Sequence, residues 1–329
     1  MKRTNLLLLF FGAGFLLMLG LFFLSNKEAT TGNKPDHVER NYYTLSQTNS
    51  MPIPDQVGFC GETIDLTRFD LRERFDREIN IFTYLHATTL LYLKRANRFF
   101  PIIEPLLKKN GIPDDFKYLC VIESNLDIRA LSPANAAGFW QLLESTGKEY
   151  GLEINSEVDE RYHIEKATDA ACRYFRDAYA KYGSWINTAA SYNAGMAKMS
   201  SALNSQQVNS ALDLLLVSET SRYIFRILAL KQLFANPYQY GFVIKKEDLY
   251  PPIPFQRVTV TQTIDDFSVF AQNYGLNYML LKEFNPWLRD SKLTVRQGKT
   301  YEIAIPEKED LYIDTRAIKV HDDRWVKSD

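Results

Sequence analysis

Between Leu66 and Phe234 the apolar residues recur three and four positions apart, and no stretch alternates as a strand would. That one periodicity constrains the chain most, because helices whose apolar stripes lie along one face must bury those stripes against each other. Leu71, Phe75, Ile79 and Phe82 mark a first amphipathic helix, and a second apolar series runs from Leu90 to Leu107. Gly111 and Pro113 end it. Further helical segments are predicted over Lys166 to Tyr182, Trp185 to about Ala190, and Leu212 to Phe234. This part of the chain is expected to be all-α.

Within it, Phe116, Leu119 and Cys120 stand at i, i+3 and i+4, and the next position on their stripe is Glu123. A carboxylate takes an apolar slot in what should be the last turn, since Asn125, Asp127 and Ser132-Pro133 break the helix beyond it. Burial and the negative end of a helix dipole both disfavour the charged form and raise the pKa. A carboxylic acid protonated near neutral pH can serve as a general acid. On position alone, a boundary glutamate with a packed stem and a wet head is the more ordinary reading, since structural carboxylates outnumber catalytic ones.

A different texture follows Pro251-Pro252-Ile253-Pro254. Val258 and Val260 alternate as a short strand, Phe267 to Tyr274 and Leu280 to Phe284 read as helices, and Tyr301 to Ile305 closes as a second strand. Such a βααβ module suits binding better than catalysis. The stretch from Glu307 to Asp329 is charged and carries no periodic signal. At the other end, Lys2-Arg3 precedes an apolar run from Leu6 to Leu24, long enough to span a bilayer. It reads as an uncleaved anchor with the remainder of the chain outside the cytoplasm, cleavage as a signal peptide being the alternative. The polar stretch 26–65 reads as a tether.

Composition excludes more than it suggests. A net charge of -1 gives no basic surface for nucleic acid. Cys60, Cys120 and Cys172 form neither a disulfide framework nor a metal-ligand spacing, and the four histidines do not cluster. Neither a metal nor a cofactor is implied.

Glu123-Ser124, Gly138-Phe139-Trp140-Gln141, Ala190-Ser191-Tyr192-Asn193-Ala194-Gly195, and Tyr223 within SRYIFRILALK occur in an order that resembles the lytic murein transglycosylases, most nearly the membrane-bound type D group. The similarity spans about Phe69 to Phe234. The segment Phe255 to Pro306 resembles a LysM domain; Gln297-Gly298-Lys299 matches that pattern, whereas Thr263-Ile264-Asp265-Asp266-Phe267 stands where the family has Gly-Asp-Thr-Leu.

The resemblance implies a mainly α protein. A lysozyme-like catalytic domain would occupy 66–245, a LysM-like module 255–306, and a charged tail 307–329, behind an N-terminal segment at 1–25. It implies cleavage of the MurNAc-β-1,4-GlcNAc bond in peptidoglycan, without water, to leave 1,6-anhydroMurNAc ends in the cell envelope. Glu123 would act first as acid and then as base. Tyr223 would orient it, Tyr192 and Asn193 would line the muramic acid subsite, and Gln141 would face the cleft. Ser124 would bond substrate or merely satisfy helix-end carbonyls. Phe139 and Trp140 suit core or cleft, and Gly195 suits a left-handed helix cap. Asn135 stands where the family has glycine, and asparagine tolerates positive φ. Leu143-Glu144 replaces the family's Met-Pro. Glu144 is expected to face solvent, and Asp127 to form a turn. A second carboxylate placed opposite Glu123 would instead favour a muramidase, and a silent peptidoglycan-binding scaffold is the alternative outside enzymes.

Overall fold

The computed structural model describes residues 49–326. The apolar run from Leu6 to Leu24 and the tether up to residue 48 lie outside the described residues. Among the described residues no helix is long and apolar enough to cross a membrane.

The predicted helices form. Helix α1 (Phe69–Tyr84) buries Leu71, Phe75, Ile79 and Phe82, the stripe read from the sequence. Helix α2 (His86–Lys109) buries Leu93, Ala96, Phe100, Ile103 and Leu107. A turn at Asp114–Phe116 leads into the short α3 (Lys117–Ser124), which Asn125 ends at φ 57 in the left-handed region that asparagine tolerates. Helix α4 (Glu144–Glu149) was not foreseen. Helix α5 (Ile164–Tyr182) ends at left-handed Gly183. Helix α6 (Trp185–Ala194), the unforeseen α7 (Met196–Gln206) and α8 (Ser218–Ala235) complete the helical body. The predicted helix from Leu212 starts six residues late: Leu214 is extended (φ -78, ψ 135), so the apolar run before Ser218 is loop.

The tether reading fails over residues 56–65. Strands β1 (Gln56–Phe59) and β2 (Glu62–Asp65) pair antiparallel, Val57 opposite Ile64, around a tight turn at Cys60 and Gly61, both at positive φ. Val57, Phe59, Ile64 and Leu66 enter the main core. The Glu62 carboxylate caps α6, accepting from the Trp185 and Ile186 amides and, at 2.9 Å, from the Ser184 hydroxyl. These contacts bind the hairpin to the helices.

The charged tail is also part of the body. Ile318 and Trp325 are buried in the main core, and the Trp325 indole donates to the Phe234 carbonyl at 3.1 Å. His321 Nε2 lies 2.9 Å from the Glu104 carboxylate on α2. Between body and tail sits the predicted module: β3 (Gln256–Val260), α9 (Phe267–Gln272), α10 (Tyr278–Phe284) and β4 (Tyr301–Ile305). Val258 pairs with Ile303 in its antiparallel sheet. Its core of Phe267, Leu281, Leu293, Ile303 and neighbours also takes in Ala137, Val158 and Tyr162 from the helical body. Mainly α, with two small sheets, is the architecture.

Candidate active site

Helix α3, whose Leu119, Cys120 and Val121 are each fully buried, delivers Glu123 at its C-terminal end. The carboxyl is part-buried, and the Tyr223 hydroxyl on α8 donates to its Oε1 at 2.6 Å. Burial pushes the Glu123 pKa from 4.5 up to about 7, and Glu219 adds to the rise, while the Tyr223 hydrogen bond and the Arg226 charge act against it. A carboxyl so poised can give up a proton and take one back near neutral pH. Glu219, Tyr223 and Arg226 stand at i, i+4 and i+7 on α8, one stripe of the helix. That spacing is visible in the sequence, where the motif comparison singles out Tyr223 alone.

The segment after α3 folds as a tight loop that carries Gln141. Asn125 and Leu126 both have positive φ, and so do Asn135 (φ 60) and Gln141 (φ 45). Asparagine at 135 therefore fills the place of a glycine, as expected. Gly138 cannot be replaced: a Cβ there would lie 2.0 Å from the Arg161 carbonyl oxygen. Gln141 turns its amide back on the loop, Nε2 donating to the carbonyls of Gly138 (2.9 Å) and Ala130 (3.2 Å). Its nitrogen thus shapes the loop. Phe139 and Trp140 are core, with the Trp140 indole donating to Thr168 at 2.9 Å.

From α6 come Tyr192 and Asn193. The Tyr192 hydroxyl donates to the Trp140 carbonyl at 2.6 Å, tying α6 to the Gln141 loop, and its ring packs edge-on to Tyr174 at 5.1 Å. Burial, and next the Glu123 charge, hold this phenol well above its usual range. Asn193 is part-exposed, with no hydrogen bond for its amide among the described residues. It is left available to a ligand. Gly195 follows at φ 83, ψ 138, which departs from the expected left-handed cap and is a backbone region essentially confined to glycine.

Ser124 is buried. Only 3% exposed, it donates to the Cys120 carbonyl one turn back at 2.8 Å, a bond within its own helix. Glu144 is exposed and paired with Lys148 at 2.6 Å, which holds its carboxyl low. The Asp127 carboxylate accepts from the Arg129 amide at 2.9 Å, closing a turn. Both acids are engaged locally.

The pattern of the family described as "Transglycosylase SLT domain" matches residues 100–213, the span that contains Glu123, Gln141 and Asn193. Over those residues the chain is similar to the SLT domains. Behind it, the pattern "Soluble lytic transglycosylase C-terminal LysM-like domain" matches residues 256–309, the βααβ module. The chain is 29% identical over 269 residues to the membrane-bound lytic murein transglycosylase D of Escherichia coli (strain K12), covering 79% of this chain and 58% of that protein. It is 30% identical over 125 residues to the membrane-bound lytic murein transglycosylase F of Salmonella typhi, 35% of this chain and 25% of the relative. The chain thus spans a little over half the length of the first of these relatives. Among solved structures, the 70 kDa soluble lytic transglycosylase of Escherichia coli aligns with a TM-score of 0.37 at 20% identity, over 44% of this chain and 24% of that one. Tyr223 lies beyond the SLT match, and its place against Glu123 comes from the geometry alone.

Proposed function

We propose that this chain is a peptidoglycan lytic transglycosylase that cleaves the MurNAc-β-1,4-GlcNAc bond and leaves 1,6-anhydroMurNAc ends. The observation that carries the reading is Glu123: one carboxyl, part-buried, bonded to the neutral Tyr223 hydroxyl and held near pKa 7. Protonated, Glu123 delivers its proton to the glycosidic oxygen as the bond to C1 breaks. As carboxylate it then takes the proton of the sugar's C6 hydroxyl, whose oxygen closes on C1. The proton count returns to its start, and no water enters. Tyr223 fixes the carboxyl's orientation through both half-reactions. Asn193 offers an amide to the N-acetyl group. Tyr192 and Gln141 shape the subsite through their bonds to backbone, and Ser124 supports the end of α3.

The SLT match, the lytic transglycosylases among the relatives and the local engagement of Glu144 and Asp127 all support this reading over hydrolysis, which asks for a second carboxylate across a water. The helical region 66–245 serves as the catalytic domain and 255–306 as a wall-directed module. The run Leu6 to Leu24 anchors the chain in the membrane with these parts in the periplasm, in keeping with the membrane-bound relatives. The test is mass spectrometry of purified peptidoglycan digested with the full chain in detergent, beside Glu123→Gln. Anhydromuropeptides that vanish in the variant are expected. Reducing-end products would make the protein a muramidase, and binding without products a scaffold.

A further inference from the structure

The C-terminal module shares a core with the helical body instead of hanging from it. Val158 bridges Leu288 in antiparallel fashion, the Asp159 amide donating to the Trp287 carbonyl at 2.9 Å and the Arg289 amide to the Glu157 carbonyl at 2.7 Å. Next to this bridge, the Arg289 guanidinium lies 4.3 Å over the Tyr162 ring, and Trp287 packs against His163 at 5.7 Å. Glu157 accepts from the Thr294 amide at 2.6 Å, and Glu153 pairs with Lys299. Segment 157–163 is therefore pinned to the module along its length.

The same segment carries Arg161, the support of the Gln141 loop. Arg161 is held bidentate by Asp159 at 2.7 and 2.9 Å, and its Nη1 donates to the carbonyls of Asn135 (2.7 Å) and Leu142 (3.1 Å), the two ends of that loop. Gly138 rests on the Arg161 carbonyl, at the distance that forbids a side chain. Ala137, at the base of the loop, is fully buried in the module's own core. The loop then passes the Trp140 carbonyl to Tyr192. A continuous set of contacts joins the module to Tyr192, the phenol that feels the Glu123 charge.

We infer that the module is a positioning element of the active site, with Trp287 and Arg289 holding segment 157–163 so that Arg161 fixes the Gln141 loop. What the loop does for catalysis rests on the proposed transglycosylase; that the module holds it does not. Two readouts separate the two. In the full chain in detergent, Arg289→Ala should speed hydrogen exchange of the Ala137, Gly138 and Gln141 amides about tenfold, with the α3 amides unchanged. Arg289→Lys, which keeps a cation over Tyr162, should restore most of the protection. Met279→Ala, on an exposed face of α10, should change nothing. Glu157→Ala, at a second contact of the seam, should repeat the effect if Arg289→Ala does not fold. On peptidoglycan, kcat should fall on the order of tenfold with KM nearly constant. Unaltered loop amides in Arg289→Ala and Glu157→Ala would overturn the inference, and so would exchange that rises equally in α3. A wild type without anhydro products would refute the proposed function, and the exchange readout would still decide the module's role.

Discussion

Glu78 and Glu123 are both acids within the helical body, and their surroundings are opposite. Glu78 on α1 is fully buried and gripped by Arg222 on α8 through both carboxylate oxygens at 2.7 and 3.0 Å, with Arg77 adding a third bond at 2.9 Å. Glu123 faces the next residue of the same helix, Tyr223, and receives one neutral hydroxyl. Helix α8 thus supplies a cation to one acid and an uncharged donor to the other from adjacent positions, about 100° apart around the axis. Arginine pairing commits a carboxylate to structure, whereas burial beside a phenol leaves it able to exchange a proton. The seam with the module follows the first pattern: Glu153 with Lys299, Asp159 with Arg161 and Glu165 with Arg257 are all paired.

The contrast breaks if the two acids respond alike to substitution. Glu123→Gln should lower turnover of peptidoglycan by roughly a thousandfold, measured by release of soluble muropeptides. The same variant should be more stable than wild type at pH 8. A folded pKa of about 7 against 4.5 unfolded means the native state holds its proton more tightly, so that stability is present at low pH and lost as pH rises through 7. Replacing the acid removes that loss, a gain of roughly 3 kcal/mol at pH 8 that should vanish near pH 4, read from denaturant curves. Glu78→Ala should do the reverse. It leaves Arg222 without its carboxylate and should destabilise by roughly 3 kcal/mol, with kcat little changed in the folded fraction.

Tyr223→Phe sharpens the comparison. Its hydroxyl favours the carboxylate, so its loss should move the alkaline limb of the rate profile to higher pH, while kcat falls on the order of tenfold through lost orientation. Glu144→Gln should leave activity unchanged at every pH, because the carboxylate sits in solvent with Lys148.

These differences also show what the sequence could reveal. Helices α1, α2, α3 and α5 are long enough, or apolar enough, for a 3.6-residue period to show, and the Glu123 slot follows from that period. Strands β1 and β2 have four residues each, too few for alternation to stand out within a polar stretch, so Val57, Phe59 and Ile64 gave no warning of their burial. Ile318 and Trp325 reach the core from short turns without any period. The run before Ser218 is apolar enough to read as helix, yet Leu214 is extended there. At the site, the motif residues were visible but their bonds were not. Gln141 bonds its own loop and Ser124 its own helix, and these depend on where the backbone turns. Arg161 has a legible partner in Asp159, but the carbonyls it holds, those of Asn135 and Leu142, leave no mark in side-chain identity.

The most direct measurement is the titration of Glu123 itself, followed by the pH-dependent infrared difference between wild type and Glu123→Gln in the carboxyl stretching region. A single group titrating near pH 7 is expected, with Tyr223→Phe moving it higher. A Glu123 that titrates near 4.5 would contradict the account, because that acid would already be ionised where the glycosidic oxygen needs its proton.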